Sequence, residues 1–255
     1  MIREIYNYRE MLKNFIQRDL RTRYKESILG FFWTLLNPLL MLIIYTIAFK
    51  TILRMDMENY SIFLFSGLLS WNYLQTTVSN NTAIIVNNSG LVKKVYFPYE
   101  ILPLSTSIAG AINYLLCMIV LLAAMIYFDV KITVAVLSVF IILAIQVIFV
   151  FGLSLMLCAI NVYFRDVEHI VGVLFMAWFY LTPIFYPLSM VPEKYQHLFY
   201  YNPMTYFMEA YQSIFYHGKV PELNLILYCF IVALIILIVG YIVFYLLKRK
   251  FAEEL

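Results

Sequence analysis

The stretch that decides the fold is residues 223–247, LNLILYCFIVALIILIVGYIVFYLL, a run of 25 positions without a charged residue. Lys248, Arg249 and Lys250 follow it directly. The hydrocarbon core of a bilayer is about 30 Å thick, and a helix needs roughly 20 residues to cross it. The run therefore predicts a membrane-spanning helix with a cationic end.

Further apolar runs give the whole chain the composition of a membrane protein. Hydrophobic residues make up 64% of the 255 positions and charged residues only 13%, whereas soluble domains carry about 25% charge. We therefore predict an all-α integral membrane protein with a single transmembrane domain, residues 1–255. Its six spans are placed at about 29–53, 61–85, 101–128, 133–160, 168–186 and 223–247.

The Lys and Arg positions predict the orientation. Six crossings leave both termini on one side, and cytoplasmic termini put thirteen cations inside and five outside. The inside cations are Arg3, Arg9, Lys13, Arg18, Arg21, Arg23, Lys25, Lys93, Lys94, Arg165, Lys248, Arg249 and Lys250. The outside cations are Lys50, Arg54, Lys131, Lys194 and Lys219. By the positive-inside rule, both termini and the tail 248–255 are predicted to be cytoplasmic.

Residues 1–28 are too long and too charged for a cleavable signal. Apolar residues recur in them at helical spacing, so we predict an amphipathic helix on the cytoplasmic membrane surface. Its apolar face contains Ile5, Tyr8, Met11, Leu12, Phe15 and Ile16. Its polar face contains Arg3, Arg9, Glu10 and Lys13. Such a helix lies with its apolar side in lipid and its cations near anionic headgroups.

The segment 187–222 is external by this topology yet rich in aromatic residues. Pro187, Pro192 and Pro203 interrupt any long helix, and Asn202 before Pro203 is typical of a helix start. Two short re-entrant helices that enter the outer leaflet and return satisfy these constraints. An aromatic belt lying flat on the membrane surface is the alternative.

The second span contains an unusual polar stripe at helical spacing. Its members are Asn72, Gln75, Thr76, Ser79 and Asn80. Hydrogen bonding between helices and the lining of a water-filled path both fit this pattern. Aromatic residues, 18% of the chain, fit both interfacial belts and stacking on sugars.

Several classes of function find no support in the sequence. No G-x-x-x-x-G-K-[ST] motif is present, so ATP binding is not predicted, and no cofactor is expected in this chain. His169, His197 and His217 lack the neighbouring ligands of a zinc site, so no metal site is predicted. The cysteines Cys117, Cys158 and Cys229 lie in apolar runs and are expected to be packing residues.

The positions of the charged residues disfavour two further classes of function. The cations cluster at span ends, which does not predict a nucleic-acid partner. No ionisable residue falls at the centre of a span, which disfavours ion-coupled transport. Glu209, in the external segment, is the one carboxylate that could reach membrane depth.

Four stretches together resemble the type-two ABC exporter permeases for O-antigen, capsular polysaccharide and teichoic acid. The stretch 21–49 is similar to the interface helix and first span of that family through Arg23-Tyr24, Ser27, Leu29-Gly30, Trp33, Asn37-Pro38 and Tyr45. The stretch Lys94-Val95-Tyr96-Phe97-Pro98, with Glu100 and Pro103, is similar to the first cytoplasmic ATPase contact of the family. Arg165-Asp166, after Asn161, is similar to the second cytoplasmic contact. Pro183, Tyr186 and Asn202-Pro203 are similar to its external gate. The family usually has a basic residue after its second gate helix, whereas residues 212–217 contain none.

The resemblance implies a transporter subunit of the bacterial plasma membrane, not an enzyme. It implies a homodimer with two copies of a separate ATPase that binds ATP and Mg, and a glycan cargo linked to undecaprenyl diphosphate. The ATPase-coupling residues are then Lys93, Lys94, Tyr96, Phe97, Pro98, Arg165 and Asp166. Expected along the translocation path are Tyr45, Trp71, Asn72, Gln75, Ser79, Trp178 and Tyr180. Expected at the external gate are Pro183, Tyr186, Tyr201, Asn202, Pro203, Tyr206, Glu209 and Tyr211.

Two alternatives stay open at this stage. An exporter of the same architecture could carry a drug or a small lipid instead of a glycan. A membrane glycosyl- or acyltransferase would need a carboxylate pair or a catalytic histidine near the interface, and Asp166 and Glu168 are close enough in sequence to form such a pair.

Overall fold

The computed structural model describes residues 2–22, 30–52 and 57–255, and these form helices and turns without a strand. The α-helices are α1 Ile2–Asn7, α2 Arg9–Thr22, α3 Trp33–Tyr45, α4 Tyr60–Thr82, α5 Ile84–Asn87, α6 Ser89–Val92, α7 Ile101–Tyr127, α8 Val139–Tyr163, α9 Val167–Tyr180, α10 Glu193–Phe199, α11 Pro203–Phe215, α12 Leu223–Leu247 and α13 Phe251–Glu254. A π-helical turn, Thr46–Ile52, continues α3, and short 3-10 turns are Gly30–Phe32, Val134–Ser138, Leu188–Met190 and Lys248–Lys250. The residues 23–29 of the family resemblance, and the cations Arg23, Lys25 and Arg54, lie outside the described residues.

Three of the predicted spans are confirmed as helices long and apolar enough to cross a membrane. Within the described residues they are Ile101–Tyr127, Val134–Tyr163 and Leu223–Lys250. The helices Trp33–Phe49 and Val167–Tyr180 are apolar but shorter. The predicted fifth span, 168–186, therefore ends early, because proline at 183 disfavours helix in the residue before it, and the chain turns through Thr182 and Ile184.

Helix α4 has the length of a span, 23 residues, but is less apolar than the three long helices. It is nevertheless among the most deeply buried elements, and its Tyr60, Trp71 and Leu74 have no exposed surface. Helices α7, α8 and α11 pack around it. Since protein rather than lipid covers most of α4, its polar side chains can find partners inside the bundle.

Helices α8 and α12 pack closely along their length, and two glycines allow this approach. A Cβ atom at Gly240 would overlap the carbonyl oxygen of Gly152, and one at Gly152 would meet the backbone of Leu237. Small residues at such crossings are typical of helix packing in membranes. Apart from this contact α12 is largely exposed, with Cys229, Ala233, Gly240 and Phe244 as its buried positions.

The buried apolar residues form two clusters. The larger core includes Trp71 of α4, Tyr114 of α7, Phe149 of α8 and Tyr211 of α11. The smaller core lies at the other end of the bundle and consists of Ile85, Val92, Phe97, Leu102, Phe151, Leu155, Cys158, Ala159, Val162, Phe244 and Phe251. The three cysteines are buried, as the sequence predicts for packing residues.

The N-terminal amphipathic segment is formed by two helices, α1 and α2, joined at Tyr8, rather than by one. Tyr8, Met11 and Phe15 pack against the smaller core, and α2 packs against α7. These three side chains are partly buried, so protein covers part of the apolar face that the sequence assigns to lipid. Helical periodicity indicates an apolar face but does not say whether protein or lipid covers it.

Candidate translocation site

A groove with both polar and apolar walls lies between α3, α4 and α7 and encloses a cavity of about 350 Å³. Its α4 wall combines Phe65, Leu69 and Tyr73 with three polar residues, Asn72, Thr76 and Asn80. These three polar residues are spaced by four and therefore share one face of the helix. Asn37 on α3 and Asn113 on α7 add polar groups to the opposite walls. The groove places amide and hydroxyl groups at the depth of the apolar helices.

The polar stripe predicted on α4 divides between two environments. Asn72 donates a weak hydrogen bond to Met41 Sδ over 3.7 Å, and Thr76 donates to the carbonyl of Asn72 over 2.5 Å. Gln75 turns away from the groove and accepts a bond from the indole Nε1 of Trp71 at 2.9 Å. Ser79 is half-buried and lies outside the groove lining. The groove therefore brings together only part of the predicted path.

The aromatic residues of the predicted path lie mainly between α4 and α9. Trp71 is fully buried and packs against Trp178 with ring centroids 5.8 Å apart and against Phe179 at 5.4 Å. Tyr45 packs on Phe185, whereas Tyr180 is exposed. Trp71 and Trp178 are thus bundle contacts, and among these rings Tyr180 is the one with most of its surface free.

The segment 187–222, predicted to be external, is joined to the end of α9 by Asn202. Its Oδ1 accepts bonds from the backbone N–H of Met204 at 3.0 Å and from Trp178 Nε1 at 2.7 Å. Its amide nitrogen donates to the Leu181 carbonyl and to Thr182 Oγ1. The predicted helix start is confirmed, because Asn202 is the cap of α11 and Pro203 its first residue.

Two further predicted gate residues fix the turn after α9. The Pro183 carbonyl accepts a bond from Gln212 Nε2 on α11 at 3.1 Å. The Tyr186 hydroxyl donates to the Tyr180 carbonyl at 3.1 Å, and its ring packs edge-on against Phe199 of α10. These contacts hold α10 and α11 against the end of α9.

The three tyrosines predicted to close the gate lie in different environments. Tyr201 is 82% exposed, and Tyr206 is half-buried and stacks on Tyr228 with centroids 5.3 Å apart. Tyr211 is fully buried in the larger core, where its hydroxyl donates to Gln146 Oε1 at 2.7 Å. Tyr211 is therefore a core residue of this chain and not a surface ring beside Tyr201.

Glu209 lies in a small cavity of about 420 Å³ between α11 and α12. The hydroxyl of Tyr200 donates to its Oε1 at 3.3 Å, and Tyr206 and Tyr228 line the same cavity. Burial raises the pKa of the Glu209 carboxyl, and the bond from Tyr200 lowers it in part. The carboxyl is half-buried, so it keeps contact with the surface.

The residues predicted to couple to an ATPase form two exposed edges of the smaller core. Lys93, Lys94 and Tyr96 are exposed, and so are Arg165 and Asp166. By contrast, Phe97 is buried in the smaller core and Pro98 is half-buried. Phe97 therefore supports the first edge from beneath instead of presenting its ring at the surface.

Helix α2 also contacts the first of these edges. The Tyr8 hydroxyl donates to the Tyr96 carbonyl over 3.5 Å, and the rings of Phe15 and Phe97 lie 6.5 Å apart. Arg18 Nη2 donates to Asn88 Oδ1 over 3.4 Å. The amphipathic segment and the first edge thus form one packed unit.

Comparison with known proteins gives this arrangement its context. Residues 11–216 match the family model described as ABC-2 type transporter. The chain belongs to the ABC-2 type transporter family. It is a membrane component of a transporter, not an enzyme.

Individual relatives match this ABC-2 type chain over most or all of its length. An O-antigen export system permease protein of Myxococcus xanthus is 34% identical, covering 100% of this chain and 99% of the relative. A protein of the same description from Klebsiella pneumoniae is 34% identical over 96% of this chain and 95% of the relative. A polysialic acid transport protein of Escherichia coli is 24% identical over 88% of both.

Three polar contacts between distant parts of this ABC-2 chain are not predicted by the sequence. Gln146 on α8 donates to Ser70 on α4 at 3.0 Å, and Asn81 on α4 donates to Ser154 on α8 at 2.9 Å. Lys248 pairs with Glu100 at 2.7 Å. An isolated amide in an apolar run is a usable signal for Gln146, whereas nothing in the sequence joins Glu100 to Lys248.

Proposed function

We propose that the chain is the permease half of an ATP-driven exporter that moves a long sugar polymer across the bacterial plasma membrane. The cargo is a glycan on an undecaprenyl-diphosphate lipid, of the O-antigen or capsule type. The observation that carries this proposal is the end-to-end match to O-antigen export permeases. The similarity to a polysialic acid transport protein supports a polymer over a drug or small lipid.

In the proposed topology six segments cross the membrane and both termini are cytoplasmic. The excess of cations in the predicted inside loops supports this orientation. The shorter helices α3 and α9 cross together with the turns that follow them, Thr46–Ile52 and residues 181–186. A cysteine at Glu193 or Lys219 should react with an impermeant thiol reagent from outside, and one at Lys94 or Arg249 should not. The reverse labelling pattern would contradict the topology.

The proposed assembly contains two copies of this permease and two of a separate ATPase. ATP and Mg belong to the ATPase, since this chain has no phosphate-binding loop. The exposed side of α4, with Thr76 and Asn80, faces the second copy across a wet path. A second permease is the natural source of the other wall, because symmetric pairs enclose a central pore.

The two exposed edges of the smaller core are the proposed ATPase contacts. Lys93, Lys94 and Tyr96 form the first contact, and Arg165 and Asp166 form the second. Their exposure supports this role, because a docking partner reaches only surface side chains, and aromatic residues such as Tyr96 and arginines such as Arg165 are enriched in interfaces. The polymer leaves past α10 and α11, proposed as re-entrant gate helices whose ends are held by Asn202.

The decisive experiment deletes this permease in its host and identifies what accumulates on the cytoplasmic side. We expect a lipid-linked glycan of polymer length, restored to the surface by the wild-type gene. Arg165→Ala and Asp166→Ala should restore it poorly, because they lack the second ATPase contact. Accumulation of a small lipid or drug, with surface glycan unchanged, would refute the proposed cargo.

A further inference from the structure

The C-terminal junction, residues 247–251 at the end of α12, contacts both proposed ATPase edges. Lys248 Nζ lies 2.7 Å from Glu100 Oε1, and the Glu100 side chain is only 3% exposed. Glu100 follows the first edge directly and precedes α7. The charged side chain of the junction therefore pairs with the carboxylate at the base of the first edge.

The second edge is held from the same place. The hydroxyl of Tyr163, two residues before Arg165, donates to the backbone carbonyl of Leu247 at 2.9 Å. This bond and the ion pair start from neighbouring residues of the junction, Leu247 and Lys248. The two contacts therefore connect both edges to one short stretch of backbone.

Aromatic packing reinforces this arrangement. Phe251 is fully buried, with its ring 5.5 Å from Phe244 and 6.1 Å from Tyr99. Tyr99 in turn packs edge-on against Phe97 at 5.4 Å. The side chains of the junction thus reach the aromatic residues that support the first edge.

We propose that the C-terminal junction is a positioning device that makes the two ATPase contacts move as one unit, with Glu100, Lys248 and Tyr163 as its positioning residues. This inference rests on the proposed function. A carboxylate as buried as Glu100 is costly without its partner, so separating it from Lys248 is unfavourable whenever the edges move. Movement delivered to one edge by ATP binding is then transmitted to the other through Leu247 and Lys248.

The test compares ATP hydrolysed with polymer exported in membranes that contain the complete permease–ATPase complex. Lys248→Gln, Glu100→Gln and Tyr163→Phe each remove one connection, and Lys250→Gln removes an exposed cation from the same turn as a matched control. We expect each of the three variants to assemble with the ATPase and hydrolyse ATP. Export per ATP should fall about three- to tenfold, the factor that corresponds to roughly one hydrogen bond. Lys250→Gln should keep the wild-type ratio.

A structural role alone would lower the amount or the unfolding temperature of the complex but leave export per ATP unchanged. Tyr163→Phe loses one oxygen atom and should fold even if a change at Glu100 does not. Glu100→Lys alone and Lys248→Glu alone should each lower export per ATP. The double variant that combines them restores opposite charges at the two positions and should recover part of this loss.

The outcomes separate the two proposals. Wild-type ratios in folded Tyr163→Phe and Lys248→Gln complexes would overturn the positioning role while leaving the proposed function intact. A wild-type complex that exports no polymer would overturn the proposed function, and the inference with it.

Discussion

The larger and the smaller core of this permease use polar groups in opposite ways. In the larger core the buried partners are uncharged: Gln146 bonds to Ser70 and to Tyr211. Beside the smaller core, a carboxylate and an ammonium meet at Glu100 and Lys248. Neutral amides and hydroxyls suit the depth of the bilayer, whereas a full charge is tolerable near its edge.

The two cores also differ in where their parts come from. The larger core joins long helices, each of which supplies many contacts. The smaller core is also built on the long helix α8, which supplies residues from Phe151 to Val162. It additionally packs against the amphipathic segment, the loop before α7 and the C-terminal junction, which are far apart in the chain. We therefore expect substitutions in the larger core mainly to lower stability, and substitutions in the smaller core mainly to weaken the connection between distant segments.

The largest expected effect is from Gly240→Leu, which places a side chain where α12 meets Gly152 of α8. Overpacking costs about 1–3 kcal/mol where a site can adapt, and backbone contact leaves little room to adapt. We expect loss of monodisperse protein after detergent extraction. The control is Gly172→Leu, since a Cβ at Gly172 meets no atom within 4 Å. Equal unfolding temperatures for both variants would contradict the close crossing.

Gln146→Leu should have the next largest effect, on the larger core. It leaves the buried Tyr211 hydroxyl without its acceptor, at a cost of about 1–3 kcal/mol, or roughly 3–10 °C in unfolding temperature. Adding Tyr211→Phe removes the orphaned hydroxyl, so the double variant should be more stable than the sum of the two single losses predicts. Strict additivity in thermal unfolding would show that the bond is not formed.

Substitutions of the tyrosines in the predicted gate, Tyr201, Tyr206 and Tyr211, should affect the unfolding temperature and the leak of solutes differently. Tyr201→Ala and Tyr206→Ala change exposed or half-buried rings, so the unfolding temperature should fall little while basal leak of small solutes rises. Tyr211→Phe keeps the buried ring and should not raise the leak, because Tyr211 lies in the core. Solute flux into vesicles without ATP measures this. An unchanged leak in the first two variants would favour a surface aromatic belt.

The smallest expected effect is pH-dependent and concerns Glu209. Its pKa is raised by burial, so the folded protein holds this proton more tightly than the unfolded chain does. Stability is consequently lost as the pH rises through the unfolded pKa towards the folded one. Glu209→Gln removes this loss, so its unfolding temperature relative to wild type should increase from pH 4 to pH 7. A difference independent of pH would contradict the raised pKa.

The sequence predicts the helices that depend on one run of residues. The apolar runs of α7, α8 and α12 and the cap at Asn202 are local signals, and all are present in the structure. Periodicity does not say what covers an apolar face. The sequence therefore assigns the face that contains Phe15 to lipid, whereas in the structure the Phe15 ring lies beside Phe97. Nor does residue type say whether a tyrosine such as Tyr211 is buried in the bundle or exposed.

The pair of Glu100 and Lys248 also has a consequence for biosynthesis, because 148 residues separate the two positions. At about 5–20 residues per second, roughly 7–30 s pass between synthesis of the carboxylate and of its partner. During that interval α7 is complete while Glu100 still lacks its cation. We therefore expect its carboxylate to stay at the end of the helix that faces water, and the two proposed ATPase contacts to become linked only after α12 has been synthesised and has packed on α8.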